Sequence, residues 1–453
     1  MNINKYIFRG YDIRGVYPND LNKDVAYIIG RSFGTYVSKM GKKTCIVGRD
    51  NRYSSLELAS FLIEGILSTG VDVIDLGLVT TPMYYYACIL KNNPTGIMVT
   101  ASHNPKDDNG FKFAFDERGN ARGEMIEEFR DFTFKGEFIN GEGKLSNYDV
   151  RDEYIKLMLD NISLGKRPLK VILDLGNGTT TCIAKDIYYR LPIDIETLFG
   201  ESDSNFPNHH PDPCVEENLS FLKKEVLDKK ADIGIAFDGD GDRVGIIDEK
   251  GNYIPTDKYM IIIIRNIINK VKNKTFLYDV KCSKALDDEI VKLGGKSICY
   301  RTGNSYTKAK VRDDDLPFGG ELSGHVYFRD KWPGFDSGIY AGLRLVEILS
   351  HTDKPLSSLL DGISHYESTP ELKFASPDDK KFIVVDKIIN YCRDKGYDAL
   401  TIDGVRVTFN DGWALVRASN TGPNITARFE ATSKERLDEI QKEFTDLIDE
   451  YNK

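Results

Sequence analysis

An α/β fold in several domains, closed by a smaller α+β domain, is what this sequence predicts, and three observations carry the prediction. Through about the first 370 residues, short apolar bursts run into Gly/Asp turns and then into stretches of helical period, the alternation expected of βα units around mostly parallel sheets. Three bursts look alike: residues 45–50, 171–176 and 276–281 each read as a buried strand entering a polar loop, as three related domains would give. Beyond Ser368 the texture changes. Residues 381–395 have helical spacing, residues 399–431 alternate apolar and polar side chains around the hairpin signal Asn410-Asp411-Gly412, and residues 433–451 return to an amphipathic helix.

The polar stretches between these segments supply the boundaries. Residues 136–152 are rich in Gly, Glu and Asn, residues 248–252 read as a turn, and residues 368–379 carry two prolines and several charges. The division is therefore 1–148, 149–250, 251–368 and 369–453. Length alone, 453 residues, suggests about three domains at roughly 100 to 200 residues each, and the change of texture adds a fourth.

Composition narrows the class. With 41% hydrophobic and 29% charged residues the chain can bury several cores, which excludes disorder and collagen-like repetition. The 61 Lys+Arg against 70 Asp+Glu give −9, the pI is near 5.4, and no long basic block is present, so nucleic acid is excluded as a partner. Seven scattered cysteines with no C-x-x-C pair argue against a disulfide framework or a zinc ribbon and fit a reducing compartment. The N-terminus lacks the apolar stretch of a signal peptide, and the greasiest run, residues 260–264, stops at Arg265, so a cytoplasmic protein with no membrane partner is expected.

Asp238-Gly239-Asp240-Gly241-Asp242-Arg243 is the most informative run, lying between strand-like residues 232–237 and 244–247. Three carboxylates at i, i+2 and i+4 with glycines between them can bend around one hard cation, for which magnesium is the natural candidate. A calcium EF-hand loop is rejected because its sixth position here is Arg243, where Gly is needed, and strands replace the flanking helices. A bare polar turn is disfavoured because three neighbouring like charges repel without a cation.

Thr100-Ala101-Ser102-His103-Asn104-Pro105 follows the apolar strand of residues 96–99 and precedes Asn109-Gly110-Phe111-Lys112. Ser102 is expected on an exposed corner, where its hydroxyl can act as nucleophile or phosphate carrier, or can merely satisfy the turn. The run is not the Gly-x-Ser-x-Gly elbow. Residues 9–15 place Arg9 and Arg14 beside glycines, and Arg417-Ala418-Ser419-Asn420-Thr421 groups a guanidinium, two hydroxyls and an amide able to wrap one phosphate. Residues 319–325, Gly-Gly-Glu-Leu-Ser-Gly-His, set a carboxylate and a hydroxyl on a glycine frame suited to sugar hydroxyls. Gly295-Lys296-Ser297 ends like a P-loop, but Ile290 stands where the first Gly should be.

Together these runs resemble the α-D-phosphohexomutase family, in its bacterial and archaeal phosphomannomutase/phosphoglucomutase branch, with every motif in family order from Tyr11-Asp12-Ile13-Arg14-Gly15 to Arg428-Phe429-Glu430. The resemblance implies three related mixed-sheet α/β domains and a two-layer α+β C-terminal domain around a central cleft. It implies Ser102 as the phosphoserine, Asp238, Asp240 and Asp242 as Mg2+ ligands together with an oxygen on Ser102, and Arg14, His103, Lys112 and Arg243 around the transferred phosphoryl. Glu321, Ser323, His325 and Lys281 correspond to the sugar site. Arg417, Ser419, Asn420 and Thr421, with Tyr11, correspond to the grip on the other phosphate.

The implied reaction is the interconversion of hexose 1-phosphate and hexose 6-phosphate, of mannose and/or glucose, through a phosphoserine and a hexose 1,6-bisphosphate, in a monomer or homodimer that binds small sugar phosphates. Alternatives are a phosphoglucosamine mutase and a metal-dependent sugar phosphatase. One departure stands out. Where the family often reads Arg-Thr-Gly-His-Ser, this chain has Arg301-Thr302-Gly303-Asn304-Ser305, and Asn can hydrogen-bond but cannot carry a proton or a charge. Leu322 replaces a common Met in the sugar loop.

Overall fold

The computed structural model describes residues 3–419 and 422–453. Its first sheet is built from β1 (Ile13–Val16), β2 (Thr44–Arg49), β3 (Asp72–Leu78), β4 (Gly96–Val99), β5 (Asp108–Ala114) and β6 (Leu145–Asn147), in the order β1-β5-β4-β2-β3-β6. Strands β2, β3, β4 and β6 pair in parallel, whereas β5 runs antiparallel to both β4 and β1, so the sheet is mixed. Helices α1 (Lys23–Lys39), α2 (Ser55–Leu67), α3 (Thr81–Leu90) and α4 (Glu124–Lys135) alternate with the strands. Asn22 and Thr80 start α1 and α3 by accepting backbone N–H bonds on their side chains. Helices α1 and α2 touch backbone to backbone: a Cβ on Gly30 would fall 2.1 Å from the Leu62 carbonyl oxygen, and one on Gly65 2.2 Å from that of Tyr27.

A second sheet, ordered β11-β10-β9-β7-β8, comprises β7 (Lys170–Asp174), β8 (Asp194–Leu198), β9 (Ile233–Phe237), β10 (Val244–Asp248) and β11 (Tyr253–Ile254). Helices α5 (Arg151–Asp160), α6 (Ala184–Tyr188) and α7 (Ser220–Lys229) accompany it. Strands β9 and β10 form an antiparallel hairpin whose connection is the Asp238–Arg243 run.

The greasy run of residues 260–264 is fully internal in α8 (Thr256–Ile267), and no helix among the described residues is long and apolar enough to cross a membrane. Strand β12 (Thr275–Asp279), followed by α9 (Lys284–Lys292), pairs in parallel with β13 (Lys296–Tyr300) on one side and, after α10 (Asn304–Asp313), with β14 (Phe318–Gly320) on the other. The three look-alike bursts are thus β2, β7 and β12, each with a parallel neighbour on both sides. Burial on two faces explains their continuous apolar character.

Next come β15 (Val326–Phe328) and α11 (Gly338–Ser350), then β16 (Glu367–Ser368) and β17 (Leu372–Ala375), α12 (Lys381–Asp394), β18 (Asp398–Leu400), β19 (Val405–Phe409), β20 (Gly412–Ala418), β21 (Asn424–Ala431) and α13 (Lys434–Tyr451). The last sheet is antiparallel, ordered β16-β21-β20-β19-β18 with β17 also on β21. One face receives Val384, Ile388 and Cys392 of α12 and Leu437, Ile440, Phe444 and Ile448 of α13, a two-layer core. Strand β17 lies inside the polar stretch 368–379, where Leu372 and Phe374 alternate with Lys373 and pack on that core.

Two compact units emerge, Met1–Thr256 with Ser323–Leu359, and Asp257–Leu322 with Leu360–Lys453. Residues 323–359 therefore share the first unit, where α11 packs on β9 and β10. A Cβ on Gly338, at the start of α11, would meet the Arg243 carbonyl at 2.2 Å, and the Gly338 N–H donates to the Gly241 carbonyl at 3.0 Å.

Candidate active site

In the first unit the loop after β4 turns on Ser102, whose φ of +52° is unusual for a residue with a Cβ. Sequence reasoning expected an exposed corner, but Ser102 is only 2% accessible. The Arg52 guanidinium explains the difference: it donates to the carbonyls of Ser102 (2.8 Å), Asn104 (2.6 Å), Pro105 (2.6 Å) and Asp108 (3.0 Å), and so draws the loop inward around one buried cation. The Ser102 N–H is satisfied by Thr100 Oγ1 at 2.8 Å. At Gly239 any Cβ would stand 2.4 Å from the Ser102 carbonyl, so the two loops meet through glycine.

The Ser102 hydroxyl donates to Asp238 Oδ2 at 2.8 Å. Asp238 Oδ1 accepts the N–H groups of Gly241 (3.0 Å) and Arg243 (3.1 Å), which closes the loop, and Gly241 takes a φ of +81° to allow it. Lys112 on β5 bridges Asp240 Oδ2 (2.8 Å) and Asp242 Oδ2 (2.7 Å), and Thr81 at the start of α3 donates to Asp240 Oδ2 at 2.6 Å. The other oxygens, Asp240 Oδ1 and Asp242 Oδ1, are buried without a hydrogen-bond partner. Ligand atoms of Asp238, Asp240 and Asp242 all lie within 4.8 Å of one another. A hard divalent cation fits this all-oxygen set, because it would satisfy the two orphaned oxygens and offset the crowded charge.

Electrostatics follow from the burial. Desolvation, followed by the charges of Asp240 and Asp242, pushes Asp238 well above the ordinary carboxyl range. Burial acts on Asp240 in the same sense, but the Lys112 ammonium outweighs it and holds that group well below. Lys112 itself is raised by Asp240 and Asp242 against the opposing effect of burial. Burial, reinforced by Arg243 and Arg14, drives His103 well below 6.5, so its ring is neutral, with Nδ1 3.4 Å from Ser102 Oγ.

Arg14 donates from Nε to Asp12 (2.8 Å) and from Nη1 to the Thr100 carbonyl (3.1 Å), beside half-buried Tyr11. His325, just before β15, donates from Nδ1 to Asp336 at 2.8 Å and accepts from Arg243 Nε at 3.1 Å, which fixes the neutral Nδ1–H tautomer. Arg243 Nε also stands 3.7 Å from Asp238 Oδ2. The first unit thus brings together Ser102, His103, Lys112, Arg14, Arg243, His325 and the three aspartates.

The second unit holds Lys281, Glu321, Arg417 and Ser419, all buried, and the division between units falls between Leu322 and Ser323. Lys281 Nζ lies 3.3 Å from Glu371 and Arg417 Nε 3.0 Å from Asp403. Glu321 accepts the Gly303 N–H at 3.1 Å, and Ser419 Oγ accepts that of Gly422 at 3.2 Å. Asn304 opens α10. Asn420 and Thr421 lie outside the described residues.

Sequence reasoning missed Arg52, Thr81 and Asp336. The Thr80-Thr81-Pro82 run was a readable helix start, whereas nothing local marks Arg52 or Asp336.

Four family models match in succession: phosphoglucomutase/phosphomannomutase alpha/beta/alpha domain I over residues 5–140, domain II over 152–251, domain III over 255–366, and the C-terminal domain over 371–447. The chain belongs to the phosphoglucomutase/phosphomannomutase family. A phosphomannomutase/phosphoglucomutase of Pseudomonas aeruginosa is 39% identical over 442 residues, 98% of this chain and 95% of that protein. A phosphoglucomutase of Neisseria meningitidis is 38% identical over 452 residues, 99% and 98% of the two chains. Among solved structures, a phosphoglucomutase/phosphomannomutase family protein from Burkholderia thailandensis superposes with a TM-score of 0.91 at 39% identity, covering 98% of this chain and 97% of its own. The loops described above are therefore those of a phosphohexomutase fold, in which the family's four domains are all present.

Proposed function

We propose that this family member is an isomerase that interconverts the 1-phosphate and 6-phosphate of glucose and/or mannose, with Ser102 as the phosphoryl carrier. The observation that carries the reading is the Ser102 hydroxyl held 2.8 Å from Asp238 Oδ2 inside the three-carboxylate loop. Phosphoryl transfer asks a protein mainly for positioning and charge stabilisation. Arg14, on the Thr100 carbonyl, and Arg243, with Nε 3.7 Å from Asp238 Oδ2, bring fixed positive charge beside the Ser102 loop, and Arg52 sets the carbonyl frame of that loop. His103, kept neutral, can accept or donate a hydrogen bond at that oxygen without adding repulsion.

Mg2+ is the cation proposed for Asp238, Asp240 and Asp242 with Ser102, where it would act as a Lewis acid on the phosphoserine oxygen. In the second unit Glu321, with Ser323 beyond the division, is the proposed grip on adjacent sugar hydroxyls. Lys281 contributes a cation there, and Arg417 and Ser419 with Asn420 and Thr421 are assigned to the phosphate that is not being transferred. The 1-phosphate leaves as a 6-phosphate because the hexose 1,6-bisphosphate intermediate turns round between two phosphoryl transfers at Ser102.

The test is a parallel assay of glucose 1-phosphate, mannose 1-phosphate and glucosamine 1-phosphate with Mg2+ and catalytic hexose 1,6-bisphosphate. Formation of glucose or mannose 6-phosphate is expected. Stoichiometric release of inorganic phosphate with no 6-phosphate would instead make the chain a phosphatase.

A further inference from the structure

Asp403 occupies the turn between β18 and β19, away from every motif read in the sequence. That turn is pressed onto β20: Gly404 has a φ of +70°, and a Cβ there would lie 2.3 Å from the Val416 carbonyl and 2.6 Å from Arg417 Cα. No side chain fits between the turn and the strand, so the backbone of Asp403 is fixed relative to that of Arg417.

Asp403 Oδ2 accepts two hydrogen bonds, from Arg417 Nε at 3.0 Å and from the Thr302 N–H at 3.0 Å. Both side chains of the ion pair are about as buried as the core, each 7% accessible. A carboxylate on Nε fixes the plane of a guanidinium without occupying its Nη1–Nη2 edge, the edge that takes a phosphate in two parallel hydrogen bonds. The second bond reaches the sugar loop. Thr302 Oγ1 donates to Asp279 Oδ2 at 2.9 Å, Asp279 Oδ1 accepts the Leu322 N–H at 3.1 Å, and the Gly303 N–H donates to Glu321 Oε2 at 3.1 Å. One carboxylate oxygen thus holds a phosphate-facing arginine and the backbone segment that orients a sugar-facing glutamate.

We infer that Asp403 is a positioning residue for Arg417 and, through Thr302, for the Glu321 loop, so that recognition of the phosphate and of the hexose ring in the second unit is set by one shared acceptor. The inference rests on the roles proposed above for Arg417 and Glu321. It has a signature that plain structural support lacks: an Asp403 substitution should lose most of its effect once Arg417 is gone.

Calorimetric binding of glucose 1-phosphate to the full chain tests it, with Asp403→Ala, Arg417→Ala and the double variant alongside the parent. Each single variant is expected to bind about tenfold more weakly, and the double variant within about twofold to threefold of Arg417→Ala. Should Asp403→Ala fail to fold, Asp403→Asn serves instead; it keeps an acceptor oxygen but loses the charge, and an expected loss of about threefold should again vanish in the Arg417→Ala background. Parent-like binding by the Asp403 variants, or losses that multiply in the double variant, would overturn the inference. A parent that binds glucose 1-phosphate without isomerising it, with the expected non-additivity intact, would overturn the mutase reading and leave Asp403 in its role. No binding by the parent would overturn both.

Discussion

The Ser102 hydroxyl donates to Asp238 Oδ2 across 2.8 Å, joining two loops 136 positions apart in the chain. Because both loops turn on residues with positive φ, Ser102 and Gly241, their meeting is set by backbone shape before any ligand arrives.

Ser102→Ala removes the proposed phosphoryl carrier and one of the three hydrogen bonds accepted by the Asp238 carboxylate. A coupled assay of glucose 6-phosphate formation should show a loss of at least about a thousandfold, whereas chemical denaturation should show a change of only about 1 kcal/mol. Retention of full turnover would remove Ser102 from the reaction.

Lys112→Met strips the buried Asp240 and Asp242 of their cation. In metal-free buffer the variant should be less stable by about 3 to 5 kcal/mol, since uncompensated charge stays behind. Millimolar Mg2+ should restore stability to the variant more than to the parent, because a cation bound only by the folded chain shifts the equilibrium by mass action. Thermal unfolding with and without Mg2+ reads both effects.

At Gly30 the expected sign runs against helix propensity. Alanine in place of glycine ordinarily favours a helix by about 1 kcal/mol. Here the added Cβ would sit 2.1 Å from the Leu62 carbonyl, so α1 and α2 must part, and overpacking costs about 1 to 3 kcal/mol on top of cancelling that gain. Urea titration of Gly30→Ala should give net destabilisation.

His209 offers a pH dependence of its own, through Asp174. Its Nε2 faces Asp174 Oδ2 at 3.0 Å and its Nδ1 faces the His210 carbonyl at 2.9 Å, two acceptors that favour the protonated ring, which can donate from both nitrogens. Burial opposes the charge, but the hydrogen bond and charge of Asp174 outweigh it and raise His209 above 6.5. A raised folded value means that the stabilisation is complete below the unfolded value, about 6.5, and fades as pH climbs through the folded one. The destabilisation caused by His209→Gln should therefore be larger at pH 5.5 than at pH 9 in denaturant titrations.

How much of this was readable from the chain depended on distance along it. The carboxylate loop was legible because its ligands, its glycines and both flanking strands fall within sixteen consecutive residues, 233–248. Central strands β2, β7 and β12 were legible for a similar local reason, burial on both faces. Arg52 was not: an arginine after Asp50-Asn51 looks like any solvated charge, and its four carbonyl partners lie 50 to 56 positions away. The same holds for the burial of Ser102, which Arg52 causes. Strand β17 was hidden because Pro370 and Pro377 bracket only two inward residues, Leu372 and Phe374, too few to establish a period. Residues 323–359 join the first unit through close contacts such as Gly338 against Arg243, and no pattern within the segment announces them.

The Lys112 bridge makes the three-aspartate loop a site with a tethered counter-ion. With the Lys112 ammonium on Asp240 and Asp242, an incoming cation would have to share those carboxylates, and part of the loop's charge is balanced before any cation arrives.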